Sequence, residues 1–194
     1  PCAIVHGWAG AGAFSDGKLS LSDEVGGHVS DYIGHKRAMD YIHQADDIYL
    51  SFGASKTVHG LNNSRVDEIA YEASRYNIRL VPCPVRHLGT ENAGPVLGAM
   101  HDYLVTKTNT TFLELTSAED ILCEEGKVTG VKIHQRGHEP EIVYAPYVVT
   151  APGRGGAQWL SETVSKLGLR TQNNEVDIGV RVEVPNAIMD HLTR

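Results

Sequence analysis

Cysteine is scarce: Cys2, Cys83 and Cys123 stand far apart in a chain of 194 residues. An odd count without a CxxC pair argues against a disulfide scaffold, a zinc ribbon and the dithiol chemistry of disulfide reductases. It makes a reducing cytoplasm the expected compartment. Basic side chains are outnumbered, 17 against 24 acidic, for a net charge of −7. That balance does not suit a protein held mainly by nucleic-acid phosphates. No apolar run approaches the roughly 20 residues that a bilayer span requires. Neither nucleic acid nor a membrane is therefore an expected partner. Internal repeats and low-complexity tracts are missing too. What remains is an ordinary globular composition, 41% apolar, long enough for one domain or two small lobes.

Apolar spacing predicts three helices. Val66, Ile69, Ala70 and Ala73 define one near 64–76, with Ser64 and Asp67 as a box-like start. Val96, Leu97, Met100 and Leu104 define a second near 92–106, with Pro95 expected in its first turn. Leu160, Val164 and Leu167 define a third near 156–167, stopped by Gly168. A weaker helical pattern covers about 31–44. Between the second and third helices the period falls to two. Phe112–Leu115, Ala118–Cys123, Val128–Ile133 and Ile142–Tyr144 read as short strands of an antiparallel meander, separated by Glu125-Gly126-Lys127 and Arg136-Gly137-His138. Tyr147–Ala151 reads as a strand buried on both faces. Ile178, Val180, Val182 and Val184, alternating with Gly179, Arg181 and Glu183, read as a strand buried on one face. The expected fold class is α/β or α+β. Pro1 at the start and a helix just begun at Arg194 suggest a stretch cut from a longer chain.

Glycine, 20 residues in all, concentrates at Gly7-Trp8-Ala9-Gly10-Ala11-Gly12 and at Gly153-Arg154-Gly155-Gly156. Such loops let backbone N–H groups approach a phosphate or a flat ring. The first follows a candidate strand, Cys2–Val5, but its glycines fall as GxxGxG instead of GxGxxG. A turn, Phe14-Ser15-Asp16-Gly17-Lys18, follows where a dinucleotide fingerprint needs a helix. The second lies at the end of the Tyr147–Ala151 run and supplies Arg154, whose guanidinium suits phosphate. A plain structural turn is the competing reading for each loop.

Four stretches occur in order: Gly10-Ala11-Gly12-Ala13-Phe14-Ser15-Asp16-Gly17-Lys18-Leu19, Arg86-His87-Leu88-Gly89-Thr90-Glu91, Ala151-Pro152-Gly153-Arg154-Gly155-Gly156-Ala157, and Val176-Asp177-Ile178-Gly179-Val180-Arg181-Val182-Glu183-Val184-Pro185. Through them the chain resembles the uncharacterised FAD-dependent (NAD/FAD-utilising) dehydrogenases of the glutathione-reductase-like flavoprotein superfamily, from about residue 4 to residue 185. The resemblance implies an FAD-dependent oxidoreductase with a small-molecule substrate and NAD(P)H as a candidate electron donor. It implies that Gly10, Gly12, Phe14, Ser15, Asp16, Gly17 and Lys18 pass close to the flavin or its ribityl–pyrophosphate arm. The backbone of Ala118 would hold adenine, and Ala151, Gly153 and Arg154 would contact the cofactor. Residues 1–30 would form the flavin-contact loop and 31–85 a helical part of a substrate lobe. Residues 86–155 would belong to the FAD-binding domain, and 156–194 would begin the substrate domain. The family's strand–GxGxxG–helix lies upstream of the first stretch and is not within this chain. The resemblance is thus to the middle of a flavoprotein, and the chain alone is expected to hold FAD weakly and to be inactive.

His87 is the one catalytic candidate, a proton donor beside a substrate or nicotinamide, with a structural role as its equal. His134 and His138 have the look of a metal pair, but they flank a hairpin turn with no third ligand, and no metal site is expected. Gly53-Ala54-Ser55-Lys56 does not match a nucleophile elbow. Two readings compete with the flavoprotein: a non-catalytic structural or interaction module, and a small nicotinamide-nucleotide-binding protein using the first loop.

Overall fold

A computed structural model describes residues 7–10, 17–61, 64–173 and 178–193. The expected candidates Gly12, Phe14, Ser15 and Asp16, and the Cys2–Val5 strand, lie outside the described residues. The elements run β1 (Lys18–Ser20), α1 (Val29–Ile33), α2 (His35–Ser51), α3 (Ser64–Ser74), β2 (Val85–His87), α4 (Thr90–Lys107), β3 (Thr116–Glu124), β4 (Lys127–Gln135), β5 (Glu141–Tyr144), α5 (Ala157–Lys166) and α6 (Asn186–Thr193). Helices with small antiparallel sheets place the chain in the expected α/β or α+β class. The chain divides into two units, Pro1–Ala157 and Gln158–Arg194. Among the described residues no helix is long and apolar enough to cross a membrane.

Three helices stop by the same device. After α2, the N–H of Gly53 donates to the Leu50 carbonyl (3.1 Å) and that of Ala54 to the Tyr49 carbonyl (3.0 Å), with Gly53 at φ +97°. Asn77 (φ +57°) and Gly168 (φ +67°) repeat the pattern after α3 and α5. These are Schellman closures, in which a residue tolerant of the left-handed region lets two orphan carbonyls find donors. The first also turns Ala54 inward. Ala54, Leu88, Ala93 and Leu97 form a small buried cluster, against which Ala9, Tyr49 and Met100 pack.

In the first unit, β3, β4 and β5 form the expected meander. Glu125 (φ +50°) and Gly126 (φ +76°) make a two-residue hairpin between Glu124 and Lys127, both in the conformation that matches strand twist. A bulge between Ala118 and Asp120 leaves Glu119 as the extra residue. Gly130 is buried where β5 crosses: a Cβ there would stand 2.5 Å from the Val143 carbonyl oxygen.

Four expectations are corrected. Phe112–Leu115 is not a strand, because Phe112 packs its ring on His101 (centroids 4.6 Å apart) and Trp8 (5.4 Å), and the chain turns at Glu114-Leu115. Tyr147–Ala151 is not a strand and is not buried, with Val149 93% exposed. Nor is 178–184, where Ile178 is 90% exposed. Both stretches have the apolar pattern of a strand, but among the described residues neither has a ladder partner to take its backbone groups. Pro95 lies in the second turn of α4, since Gly89 (φ +76°) starts that helix at Thr90, two residues earlier than its apolar face suggests.

Candidate functional site

The stretch ending in Gly17-Lys18 and the stretch Arg86-His87-Leu88-Gly89, far apart in sequence, meet in one ribbon. β1 pairs antiparallel with β2, setting Lys18 opposite His87, Leu19 opposite Arg86 and Ser20 opposite Val85. The ribbon is extended at both ends, by Leu88 N–H donating to the Gly17 carbonyl (2.7 Å) and Leu21 N–H to the Pro84 carbonyl (2.8 Å). On the far edge of β2, His59 and Val85 exchange two further backbone bonds. Gly17 is buried at φ +57°, and a Cβ added to it would lie 3.3 Å from the Gly89 backbone. Only glycine combines that conformation with that approach.

Beside this contact is a hollow of about 180 Å³ lined by Ala9, Gly17, Lys18, Leu19, Tyr49, Leu88 and Leu97. The turn at 7–10 reaches it because the Trp8 indole Nε1–H donates to the Leu97 carbonyl (2.9 Å). Gly10 closes that turn through its N–H to the Gly7 carbonyl (3.3 Å). Trp8 lines a second, more apolar hollow of about 510 Å³, with Ile48, Ser51, Phe52, Met100, Tyr103 and Leu104. Phe52 and Tyr103 meet there edge-on at 5.5 Å. Adjacent residues of one turn, Trp8 and Ala9, therefore serve neighbouring hollows.

What fixes β2 in place was not anticipated. Arg86 adjoins the candidate His87, where it would be expected to face the same ligand, but its guanidinium turns inward. It forks onto Asp46 of α2 through Nε–Oδ1 and Nη2–Oδ2 (the latter 2.6 Å), and Nη1 donates to the Ser55 carbonyl (2.5 Å). Both side chains are buried. The hydrogen bond to the Asp46 carboxylate outweighs burial and holds the Arg86 pKa above its ordinary value. The sequence carried a signal for this. Ala38, Ile42, Asp46 and Tyr49 share one stripe of α2, and a carboxylate within an apolar stripe requires a buried cation. Tyr49, Leu97 and Trp8 were missed as lining residues because nothing local distinguishes them from core.

His87 is exposed at the end of β2, across from Lys18. Ala118 is exposed at the bulge of β3, opposite Ile133. Ala151 is exposed; Gly153 (φ +62°) opens the short 3-10 turn Arg154–Gly156, and Arg154 is exposed. None of Ala118, Ala151, Gly153 and Arg154 lines either hollow. His134 lies in β4 with its Nδ1 3.4 Å from Glu119, which also receives Lys132 Nζ at 2.9 Å. Among the described residues, no three His, Cys, Asp or Glu side chains gather to hold a metal ion.

No protein-family model, curated protein or solved structure matches this chain.

Proposed function

We propose that this chain is part of a cytoplasmic FAD-dependent oxidoreductase acting on a small-molecule substrate, with NAD(P)H as candidate electron donor. One observation carries the reading. Two of the four stretches behind the resemblance, about 70 residues apart, pair as one ribbon and share one hollow, to which the first gives Gly17, Lys18 and Leu19 and the second Leu88.

The fit to the cofactor is partial. A hollow of about 180 Å³ is below the roughly 300–1,000 Å³ of small-molecule sites, whereas the aromatic-lined one of about 510 Å³ is within that range. The two share no lining residue, so either one suits only an edge of a ligand as large as FAD, the remainder being held by other chain. When bound, the flavin carries the redox step. The protein's part is to bind and orient: Gly17, packed on the Gly89 backbone, shapes the wall of the hollow, the Lys18 ammonium supplies positive charge beside phosphate or reduced flavin, and His87 stands across from it as a proton donor. Gly153 and Arg154 belong to this reading through the resemblance alone.

Purification of the full-length gene product tests it. The preparation is expected to be yellow with a flavin spectrum, and K18M is expected to lower the fraction of flavin retained through gel filtration. A colourless product overturns the reading; unchanged retention in K18M removes Lys18 from the site. FAD titrated into the present chain is expected to be quenched weakly and without saturation.

A further inference from the structure

Residues 178–184 combine three properties: apolar side chains on alternate positions, exposure of those side chains, and one charge of each sign on the intervening face. Ile178, Val180 and Val182 are 90%, 85% and 73% exposed. Arg181 and Glu183 sit on the same side of the chain, with Nε and Oε1 3.3 Å apart. A segment of this composition, without a ladder partner among the described residues, is a template for strand addition.

We propose that this segment pairs with the same segment of a second copy, as an antiparallel ribbon with a two-fold axis at Val182. The choice of occupant follows from register. With Val182 opposite itself, Val180 faces Val184 of the second copy and Arg181 faces Glu183, each pairing occurring twice by symmetry. Moving the axis to Arg181 or to Glu183 sets like charges opposite one another, which is unfavourable. Moving it by half a step sets valines opposite charges, because a one-residue slip exchanges the faces. A parallel in-register pairing stacks Arg181 on Arg181. An axis at Val180 keeps apolar side chains together but sets Arg181 opposite Gly179, so within 178–184 only the axis at Val182 places each charge opposite its opposite, and that is the isologous contact of a two-fold dimer. Pro185, which has no N–H to give, bounds the ribbon. So short a ribbon makes a weak dimer, formed and broken with concentration.

Analytical ultracentrifugation over a range of protein concentration is expected to show reversible dimerisation. R181E and E183R, each of which sets like charges opposite one another, are expected to raise the dissociation constant by about tenfold or more. The double reversal, R181E with E183R, is expected to restore it. V182C, oxidised mildly, is expected to give a disulfide dimer linked through position 182 by peptide mapping. Circular dichroism matching the parent chain shows that each variant is folded. A chain monomeric throughout, a dimer indifferent to the reversals, or a V182C crosslink found only at the native cysteines overturns the proposal. So does a segment shielded by another stretch of the full-length gene product.

Discussion

The corner built from β1, β2, α2 and α4 and the meander β3–β5 belong to the same unit but are held by different means. The meander is local: its strands follow one another, and its first hairpin is closed by the two residues Glu125 and Gly126. Its electrostatics sit on the surface, as Lys132 and His134 around Glu119. The corner is assembled across long separations. Arg86 reaches Asp46 and Ser55, Lys18 pairs with His87, and Trp8 anchors to Leu97. Its charge pair is buried. The element carrying the candidate site thus depends on contacts that form only when distant segments have already met, while the meander needs only its own turns.

The largest test of that contrast is D46N. It leaves the buried guanidinium without its counter-charge, which costs about 3–5 kcal/mol. Urea denaturation followed by circular dichroism should show the midpoint fall accordingly, with Lys18 and His87 amides losing hydrogen-exchange protection and the β3–β5 amides keeping theirs. Equal loss in both regions would mean that they are one cooperative body. Next in size, G130A drives a methyl into the Val143 carbonyl, an overpacking of about 1–3 kcal/mol. Its loss of protection is expected in β4 and β5, the converse of D46N. The smallest effect concerns pH. The hydrogen bond from Lys132, with help from His134, holds Glu119 below its ordinary pKa. A carboxylate lowered in the folded state stabilises above its unfolded pKa and loses that contribution as pH falls through the folded value. E119Q is therefore expected to flatten the acid limb of the meander's stability curve, and an NMR titration should place the Glu119 midpoint on the acid side of a free glutamate. A midpoint at the free value would remove the Lys132 interaction in solution.

The same contrast explains what the sequence made legible. Helices α3, α4 and α5 follow from spacing of three and four, and the stop at Gly168 follows from one residue's tolerance of positive φ. The meander follows from alternation and turn residues. Strands β1 and β2, three residues each, are too short for any period to show. The Arg86–Asp46 fork could not be named from Arg86, whose neighbours in sequence suggested a ligand; only the acid in the stripe of α2 hinted at a partner. Tyr147–Ala151 and 178–184 show the opposite failure. Apolar alternation records which face a strand would bury, but a strand exists only where another backbone accepts its hydrogen bonds. Of the candidate site, Gly17, Lys18 and His87 were marked by the motifs. Tyr49 and Leu97 came from packing that no local pattern encodes.

Trp8 gives this chain a built-in optical reporter. Its indole ring touches His101 and Phe112, and its N–H is tied to α4. The other tryptophan, Trp159, belongs to the second unit. With Trp159 replaced by phenylalanine, tryptophan emission comes from the turn beside the two hollows alone. A molecule settling into either one would change its colour or brightness, so occupancy can be followed without a label and without knowing in advance what the molecule is.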